Sequence, residues 1–423
     1  MSSVAVPPSG LPAFVDSLLD AELEKTTLSP ADRGLLQELV FGAVRWQATL
    51  DWLIAQKTAG RQQRLALQVV LRLALYQMFW LDRIPDHAAV NESVTLAKNL
   101  GCGQQAGFVN AVLRGCLRER DALEKKLEEL KQSLPALGYS HPDWLVERWR
   151  QRWGEEKLRR LLEWNNTPPK TYARVNLLRA EMKSLRELWV EEHVEVKLHP
   201  FDWAGNVLVY ELVSHPPLTG LTSFKHGDFY VQDPSTLLAV RELDPKPGET
   251  ILDFCAAPGG KTTLIAQFMQ NQGRVMAHDI TTERLELVKE NCARLGVTCV
   301  ETRCAGPDSV PFAADQFDRI LVDAPCSNTG VLRRRVDLRW RIRPEEITRL
   351  REAQTAILNQ VLPWLKPGGT LVYSTCSLEP EENGEVTRTF LDAHAEFQLV
   401  RERLLLPFED GVDGAYVARL VRR

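Results

Sequence analysis

The chain has 423 residues, which is too long for one small hydrophobic core and predicts two or three domains. Its composition, with 44% hydrophobic and 26% charged residues, is that of an ordinary soluble globular protein. The formal net charge of −4 excludes a wholly basic nucleic-acid coat, so any polyanion would have to bind a local patch.

Hydropathy and cysteine usage indicate the cellular compartment and the kind of cysteine chemistry to expect. No stretch approaches the roughly 20 apolar residues that cross a bilayer, and the N-terminus lacks a basic segment followed by an apolar one. We therefore expect a cytoplasmic protein with no membrane partner. The eight cysteines form no C-x-x-C pair, so we expect free thiols and no metal.

The first 135 residues are predicted to form an all-helical domain. Ser29-Pro30-Ala31-Asp32 is typical of a helix start, with a capping Ser, Pro in the first turn and an acid three residues after the cap. Residues 65–78 are apolar nearly all round, which predicts a helix in the middle of a bundle. Residues 141–235 combine a helix start at Pro142 with alternating patterns and predict a small α+β connector.

From about residue 236 to residue 423 the pattern alternates between strands and helices. Predicted strands cover 250–254, 274–278, 317–322 and 370–374, and predicted helices begin at Lys261 and cover 282–295 and 345–362. This order is typical of a doubly wound, mostly parallel, Rossmann-like α/β sheet. Such sheets bind ligands at the carboxyl ends of their strands.

A loop of small residues joins the first of these strands to its helix. It reads Cys255-Ala256-Ala257-Pro258-Gly259-Gly260 and is followed by Lys261. The glycines let the backbone approach a ligand and leave helix N–H groups pointing at it. Asp279 ends the next strand, 19 residues after Gly260, which is typical of an acid that accepts hydrogen bonds from ribose hydroxyls.

Two phosphate-binding patterns resemble this loop but fail. A P-loop, which would indicate an NTPase with Asp323 as its metal-binding acid, needs glycine at Cys255. The G-x-G-x-x-G fingerprint is also absent. The loop therefore predicts a nucleoside-bearing cofactor held without a phosphate cradle, and S-adenosylmethionine fits.

Two cysteine-bearing segments directly follow strand patterns: Asp323-Ala324-Pro325-Cys326 and Ser374-Thr375-Cys376-Ser377. If their strands are neighbours in the sheet, both thiols could point into one pocket. Thiolates are strong nucleophiles and good leaving groups, so the pair suggests covalent attack on a ring carbon. We interpret four other cysteines as small buried hydrophobes: Cys102, Cys116, Cys292 and Cys299.

A run of arginines is the strongest local positive charge. It contains six arginines within eleven residues, with Trp340 among them and Asp337 as the one acid: Arg333, Arg334, Arg335, Arg339, Arg341 and Arg343. We predict that this run contacts nucleic-acid phosphates. The alternative is a solvated surface loop.

With these motifs, nearly the whole chain resembles the bacterial ribosomal RNA cytosine-C5 methyltransferases of the RsmB (Fmu) type, within the NOL/Nop2/Sun group. Residues 253–262 are similar to the cofactor motif of that family, and the segments 323–330 and 374–377 are similar to its two cysteine motifs. Phe41-Gly42-Ala43-Val44-Arg45 and 50–54 resemble its N-terminal helical domain, which is similar to the RNA-binding factor NusB.

The resemblance implies methylation of C5 of a cytosine in 16S ribosomal RNA, at a site of the cytosine 967 type, by a monomer that uses S-adenosylmethionine. It implies that Cys376 adds to C6 of cytosine and makes C5 nucleophilic, and that Cys326 helps to resolve the adduct. It also implies that residues 255–261, Asp279 and Asp323 contact the cofactor, and that Asp323 faces the base.

Two departures from the family pattern stand out. The family usually has Gly-Asp after its third strand, where the Asp contacts the adenine, whereas this chain has Arg303-Cys304. A carboxylate is therefore missing at Cys304, and Asp308 would replace it only if the loop shifts. At the N-terminus, three prolines disfavour the usual first helix: Pro7, Pro8 and Pro12.

Two further interpretations are compatible with the same sequence features. A catalytically impaired RNA-binding protein would retain the helical domain and the arginines, although the presence of Cys326, Cys376 and Asp323 disfavours it. The same chemistry could also act on tRNA or on another rRNA cytosine. The resemblance favours 16S rRNA.

Overall fold

The computed structural model describes residues 14–305 and 312–423. The helices are α1 (Val15–Glu24), α2 (Pro30–Arg45), α3 (Gln47–Thr58), α4 (Leu65–Trp80), α5 (Asp86–Asn99), α6 (Ala106–Arg118), α7 (Arg120–Ser133), α8 (Pro135–Gly138), α9 (Asp143–Asn166, interrupted at Gly154), α10 (Met182–Glu191), α11 (Thr222–Lys225), α12 (Leu237–Leu243), α13 (Gly260–Phe268), α14 (Thr282–Leu295), α15 (Leu338–Arg341), α16 (Pro344–Val361), α17 (Gly384–Ala393) and α18 (Pro407–Asp410). The strands are β1 (Tyr172–Val175), β2 (Glu195–Leu198), β3 (Val209–Ser214), β4 (Phe229–Val231), β5 (Thr250–Phe254), β6 (Arg274–Asp279), β7 (Val300–Cys304), β8 (Phe317–Asp323), β9 (Leu365–Thr375), β10 (Phe397–Leu405) and β11 (Ala415–Arg422). The prolines Pro7, Pro8 and Pro12, and Asp308, lie outside the described residues.

These residues form two compact units. The helical unit contains residues 14–167 together with Leu332–Arg341, and the α/β unit contains Pro168–Val331 and Ile342–Arg423. The helical N-terminus, the α+β connector and the mostly parallel sheet predicted from the sequence are therefore confirmed.

The helical unit packs around α4, whose all-round apolar sequence requires burial. Leu71, Ala74 and Leu75 are fully buried there, against side chains from α3, α5 and α6. The predicted helix start at Ser29 is also confirmed, because the Ser29 hydroxyl accepts a hydrogen bond from the backbone N–H of Asp32 at 3.1 Å.

The arginine run enters the core of the helical unit. Arg339 is 0% exposed and donates hydrogen bonds to the carbonyl oxygens of Ser140 (3.2 Å) and Asn165 (2.9 Å) and to Oδ1 of Asn166 (2.8 Å). Burial lowers the pKa of Arg339 to about 9. Its guanidinium therefore acts as a multiple donor that joins three chain segments of one unit.

Two more members of the run are buried in the same unit. Arg333 is 2% exposed and lies over the ring of Trp164 at 4.2 Å, and Arg335 is 8% exposed and lies over the ring of Phe14 at 5.4 Å. The predicted phosphate contacts of Arg333, Arg335 and Arg339 are therefore wrong, because a buried guanidinium with partners inside the protein does not reach a phosphate. Arg334 and Arg341, both half-buried, and the exposed Arg343 keep that prediction.

The connector is a four-stranded antiparallel sheet in the order β2-β3-β1-β4. Two polar residues attach β1 to the larger sheet of the same unit. The buried Arg174 donates hydrogen bonds to the carbonyl oxygen of Gly260 (2.8 Å) and to Oγ1 of Thr263 (3.0 Å), at the start of α13. Asn176 donates to the carbonyl oxygen of Leu295 at 2.8 Å, at the end of α14.

The larger sheet has seven strands in the order β10-β11-β9-β8-β5-β6-β7. Strands β5 to β9 run parallel, whereas β11 pairs antiparallel with both β9 and β10. The central pair is β8 and β9, with Val322 opposite Tyr373 and Asp323 opposite Ser374. Both cysteine segments therefore leave the sheet at the same edge, next to the loop that follows β5.

Candidate active site

The two strand-end cysteines lie in contact. Sγ of Cys326 and Sγ of Cys376 are 3.2 Å apart. Gly330 keeps the second loop close to the first, because its N–H donates to the carbonyl oxygen of Cys376 at 2.9 Å and a Cβ there would come within 2.6 Å of that oxygen. The expectation that neighbouring strands bring both thiols together is confirmed.

The environments of the two thiols differ. Cys326 is 9% exposed, and its hydrogen bond with Cys376, together with burial, raises the pKa of the Cys326 thiol well above its usual range. Cys376 is half-buried and donates its S–H to Oδ1 of Asn328 at 2.9 Å. Cys326 is thus the thiol that stays protonated, while Cys376 is the more accessible of the two.

Asp323 is held next to the thiols from two sides. Its Oδ2 pairs with Nζ of Lys261 at 2.6 Å, and its Oδ1 accepts a hydrogen bond from the Ser374 hydroxyl at 2.7 Å. Burial alone would lower the pKa of Lys261, but the adjacent Asp323 outweighs it and raises that pKa. Lys261 also interacts electrostatically with Cys376, so a cation lies close to this thiol.

The loop after β5 is fixed by its own backbone and by β6. Gly259 has φ +99°, a conformation that favours glycine. The N–H of Ala256 donates to the carbonyl oxygen of His278 at 2.9 Å, and the N–H of Ala257 donates to Oδ2 of Asp279 at 2.9 Å. The predicted cofactor loop therefore lies against the predicted ribose-binding acid.

Asp279 is 2% exposed and already has partners on both oxygens. Its Oδ1 accepts from the N–H of Ile280 at 2.8 Å and pairs with Nη1 of Arg284 at 3.2 Å. Sequence reasoning missed Arg284, because an arginine in the first turn of a helix carries no distinguishing pattern. Contact between Asp279 and a ribose stays a prediction.

Cys304 lies opposite Asp279 in the pairing of β6 with β7. Its Sγ is 3.3 Å from the carbonyl oxygen of Ala305 and 3.6 Å from that of Ile280. The thiol therefore occupies the predicted position beside the cofactor loop and is turned to backbone carbonyls. Its contact with the cofactor stays a prediction.

Asp253 adds a third acid under the loop. It is 1% exposed, and its Oδ2 accepts a hydrogen bond from the Thr262 hydroxyl at 2.6 Å, while its Oδ1 has no partner within the described residues. Burial raises its pKa to about 7, and the nearby Asp323 adds to this. An unpaired buried acceptor beside a glycine loop is suited to a ligand with a cationic donor.

The charges of the site match S-adenosylmethionine, which carries a sulfonium and an ammonium group. Three carboxylates lie close enough to interact, namely Asp253, Asp279 and Asp323, against the two cations Lys261 and Arg284. Acidic groups therefore predominate. The residues present fit this cofactor better than a nucleoside triphosphate, whose phosphates they would repel.

A buried glutamate that the sequence did not single out joins the two cysteine loops. Glu382 is 0% exposed; its Oε1 accepts from the N–H of Ser327 at 2.8 Å, and its Oε2 accepts from the hydroxyls of Ser327 and Ser377. Gln354 also donates to Oε1 at 3.1 Å. Each serine directly follows one of the two cysteines, so a single carboxylate fixes both loops.

Neither a metal site nor a membrane span is found in the parts of the chain that the structure describes. Within residues 14–305 and 312–423, the side chains that commonly bind metals form no group of three or more. In the same residues, every helix is too short or too polar to cross a membrane.

Comparison with known proteins assigns the chain region by region. Residues 240–421 match the model of the 16S rRNA methyltransferase RsmB/F, residues 9–132 match the NusB family, and residues 141–208 match the Methyltr_RsmF/B-like, ferredoxin-like domain. A probable ribosomal RNA small subunit methyltransferase B of Bacillus subtilis is 37% identical, over 97% of this chain and 95% of that protein. The chain belongs to the RsmB/F methyltransferase family.

Other relatives agree with this assignment. The ribosomal RNA small subunit methyltransferase B of Klebsiella pneumoniae is 38% identical, over 94% of this chain and 91% of that protein. A methyltransferase homologue from Pyrococcus horikoshii, known from its crystal structure, is 30% identical with a TM-score of 0.59, over 68% of this chain and 97% of that one. The crystal structure of PH0851 has the same fold, with a TM-score of 0.77 and 24% identity, over 99% of this chain and 100% of that one.

Membership of the RsmB/F family confirms two predictions from the sequence. The enzyme class is methyltransferase, and the cofactor of the family is S-adenosylmethionine. In this chain, the loop after β5 lies next to Lys261 and the acids Asp253, Asp279 and Asp323, and their contact with that cofactor stays a prediction.

Proposed function

We propose that this RsmB/F protein methylates C5 of a cytosine in 16S ribosomal RNA, with Cys376 forming a transient covalent bond to C6. The observation that carries the proposal is the 3.2 Å contact between the Cys326 and Cys376 thiols, next to the Lys261–Asp323 pair. The names of the relatives support the RNA class. By resemblance, the target is a site of the cytosine 967 type.

The covalent step explains why a thiol is needed. C5 of cytosine is a poor nucleophile. As a thiolate, Cys376 donates an electron pair to C6, and the C5–C6 double bond shifts its electrons toward C5. When bound, S-adenosylmethionine supplies an electrophilic methyl group for C5. We propose that Asp323, which is held by Lys261 and Ser374, faces the base.

Resolution of the adduct needs a group that accepts the C5 proton. The largest cause that raises the pKa of Cys326 is its hydrogen bond with Cys376. Once the sulfur of Cys376 is bonded to C6, it carries no negative charge that would oppose a thiolate at Cys326. Cys326 then gives its own proton to solvent and, as a thiolate, accepts the C5 proton. Removal of the C5 proton restores the C5–C6 double bond and expels the Cys376 thiolate.

The remaining assignments keep the ranges, partners and location predicted from the sequence. We propose that residues 1–135 bind RNA, that residues 141–235 form the connector, and that residues 236–423 catalyse methyl transfer. We also propose that the protein acts in the cytoplasm as a monomer. Contact with RNA phosphates is proposed for Arg334, Arg341 and Arg343. Within the cofactor site we propose contacts from the backbone of 255–261, from Asp279 and Cys304, and from Asp323.

Bisulfite sequencing tests this function, because 5-methylcytosine resists deamination. RNA from cells with the gene, without it, and with only the Cys376→Ala variant should be compared. We expect one 16S cytosine to be protected only where the unaltered gene is present. If the protection that depends on the gene is found at a tRNA cytosine instead, the substrate is tRNA. Protection that persists with Cys376→Ala would overturn the role of this cysteine.

A further inference from the structure

Asn328 lies between the two cysteines and contacts both. Its Nδ2 donates a hydrogen bond to the carbonyl oxygen of Cys326 at 2.7 Å, and its Oδ1 accepts the S–H of Cys376 at 2.9 Å. The backbone of Asn328 has φ +57°, a left-handed conformation that Asn adopts more readily than most residues. One side chain therefore links the loop of the first thiol to the sulfur of the second.

The contact with Cys326 fixes which end of the amide faces Cys376. An amide oxygen turned to the Cys326 carbonyl would place two acceptors 2.7 Å apart, so Nδ2 must point there and Oδ1 must point to the sulfur. A carbonyl oxygen accepts a hydrogen bond from a thiol but repels a thiolate. Asn328 therefore favours the protonated form of Cys376.

Other groups act on the same sulfur. The Cys326 thiol lies 3.2 Å away, and the Lys261 cation, paired with Asp323, favours a thiolate. Glu382 lies behind both loops and reaches the serines that follow the cysteines rather than the thiols themselves. Of these groups, Asn328 is the neutral acceptor bonded directly to the Cys376 thiol.

We propose that Asn328 is a positioning residue that accepts the S–H of Cys376 and keeps this side chain a thiol until substrate displaces the hydrogen bond. The inference rests on the proposed function, because it takes Cys376 as the nucleophile. In this role Asn328 limits the reaction of the resting enzyme with other electrophiles. When substrate displaces the hydrogen bond, Cys376 gives this proton to solvent and the resulting thiolate attacks.

The test is the rate at which iodoacetamide alkylates Cys376 in the full chain without RNA or cofactor, read by peptide mass spectrometry. Asn328→Gly removes the amide but keeps a residue suited to the left-handed backbone. We expect alkylation about two- to tenfold faster, the range set by the net free energy of one hydrogen bond. Asn271→Gly is the matched control, since Asn271 has φ +58° and makes one donor and one acceptor bond away from the cysteines, to the carbonyl oxygen of Gly296 and from the N–H of Thr298.

Asn328→Asp gives the opposite test: it loses the donor to the Cys326 carbonyl, as Asn328→Gly does, but it keeps an acceptor for the S–H and adds a negative charge that opposes a negative sulfur. We expect it to alkylate more slowly than the wild type. Equal rates in Asn328→Gly and the wild type, or faster alkylation in Asn328→Asp, would overturn the proposal. A loss of packing alone would change the alkylation rate of Cys376 in the same direction in both variants. Methyl transfer by Cys376→Ala would refute the proposed function. The alkylation rates test the role of Asn328 separately.

Discussion

At the scale of single residues, the acid Asp253 combines burial with a central position in the α/β unit. It ends β5 under the cofactor loop, and its Oδ2 is bonded to Thr262. Burial raises its pKa from 3.8 to about 7. Folding therefore favours the protonated form of this carboxyl, which links the stability of the unit to pH.

The sign of this linkage gives a prediction for Asp253→Asn. Since the folded pKa lies above the unfolded one, the contribution of Asp253 to stability is complete below about pH 4 and is lost as the pH rises through about 7. The difference in free energy of unfolding between Asp253→Asn and the wild type should therefore change in favour of the variant between pH 5 and pH 8. One pKa unit corresponds to about 1.4 kcal/mol, so we expect a relative gain above about 1 kcal/mol.

Urea unfolding of both proteins at the two pH values measures this gain. Asp392→Asn is the control, because Asp392 is exposed on α17. A difference between Asp253→Asn and the wild type that stays constant from pH 5 to pH 8 would contradict the raised pKa.

Residue-level chemistry was partly predictable from the sequence. The positions of Cys326, Cys376 and Asp323 followed from strand patterns, because a strand end fixes where a side chain leaves the sheet. The role of Asn328 did not follow, since it depends on which end of an amide faces which loop. Burial of Arg339 was missed because clustered charges usually indicate surface, whereas here backbone carbonyls satisfy the guanidinium.

At the scale of elements, strands β8 and β9 place the cysteine loops, and Glu382 joins those loops. Spacing along the sequence predicted the strands because alternation of strands and helices fixes a parallel sheet with a common ligand edge. The same approach missed Glu382. It stands in the acidic stretch Glu379-Pro380-Glu381-Glu382, which is typical of a solvated helix start.

We predict that Glu382→Leu destabilises the α/β unit by more than about 2 kcal/mol. It would leave the N–H of Ser327 and one of the two N–H donors of the Gln354 side chain without an acceptor, and each buried donor left unpaired costs about 1–3 kcal/mol. Methyl transfer should fall as well, since both cysteine loops lose their common support.

Scanning calorimetry of the full chain measures this loss as a lower midpoint of unfolding. Glu385→Leu is the control, because Glu385 is 37% exposed and pairs at 3.6 Å with Arg351. Glu382→Gln should be milder, because the serine hydroxyls can turn to accept from the new amide. Equal midpoints for Glu382→Leu and Glu385→Leu would contradict the account.

At the scale of the whole molecule, the two units do not follow the order of the chain. The segment Leu332–Arg341 lies in sequence between Cys326 and α16, yet it belongs to the helical unit. Chain order alone could not predict this, because composition marks the segment only by its positive charge. The three domain ranges proposed from the sequence leave this segment in the catalytic range.

We predict that Arg339→Met destabilises the helical unit by about 2–4 kcal/mol. The methionine keeps much of the volume but leaves the carbonyl oxygens of Ser140 and Asn165 without their donor. Amide hydrogen exchange in the full chain should become faster in α9 and at the end of α2. Arg349→Met is the control, because Arg349 is 55% exposed and pairs with Glu346 within α16. Unchanged exchange in Arg339→Met would show that the segment does not support the helical unit.

The central claim is that Cys376 bonds to the cytosine and that Cys326 releases it. It is tested by incubating Cys326→Ala with 16S rRNA and S-adenosylmethionine, followed by denaturing gel electrophoresis. We predict a protein–RNA band that survives denaturation, is absent in Cys326→Ala/Cys376→Ala, and is absent in the control Cys292→Ala, whose thiol is buried in α14. Normal turnover by Cys326→Ala with no shifted band would contradict the claim. A band that persists in the double variant would show that the nucleophile is another residue.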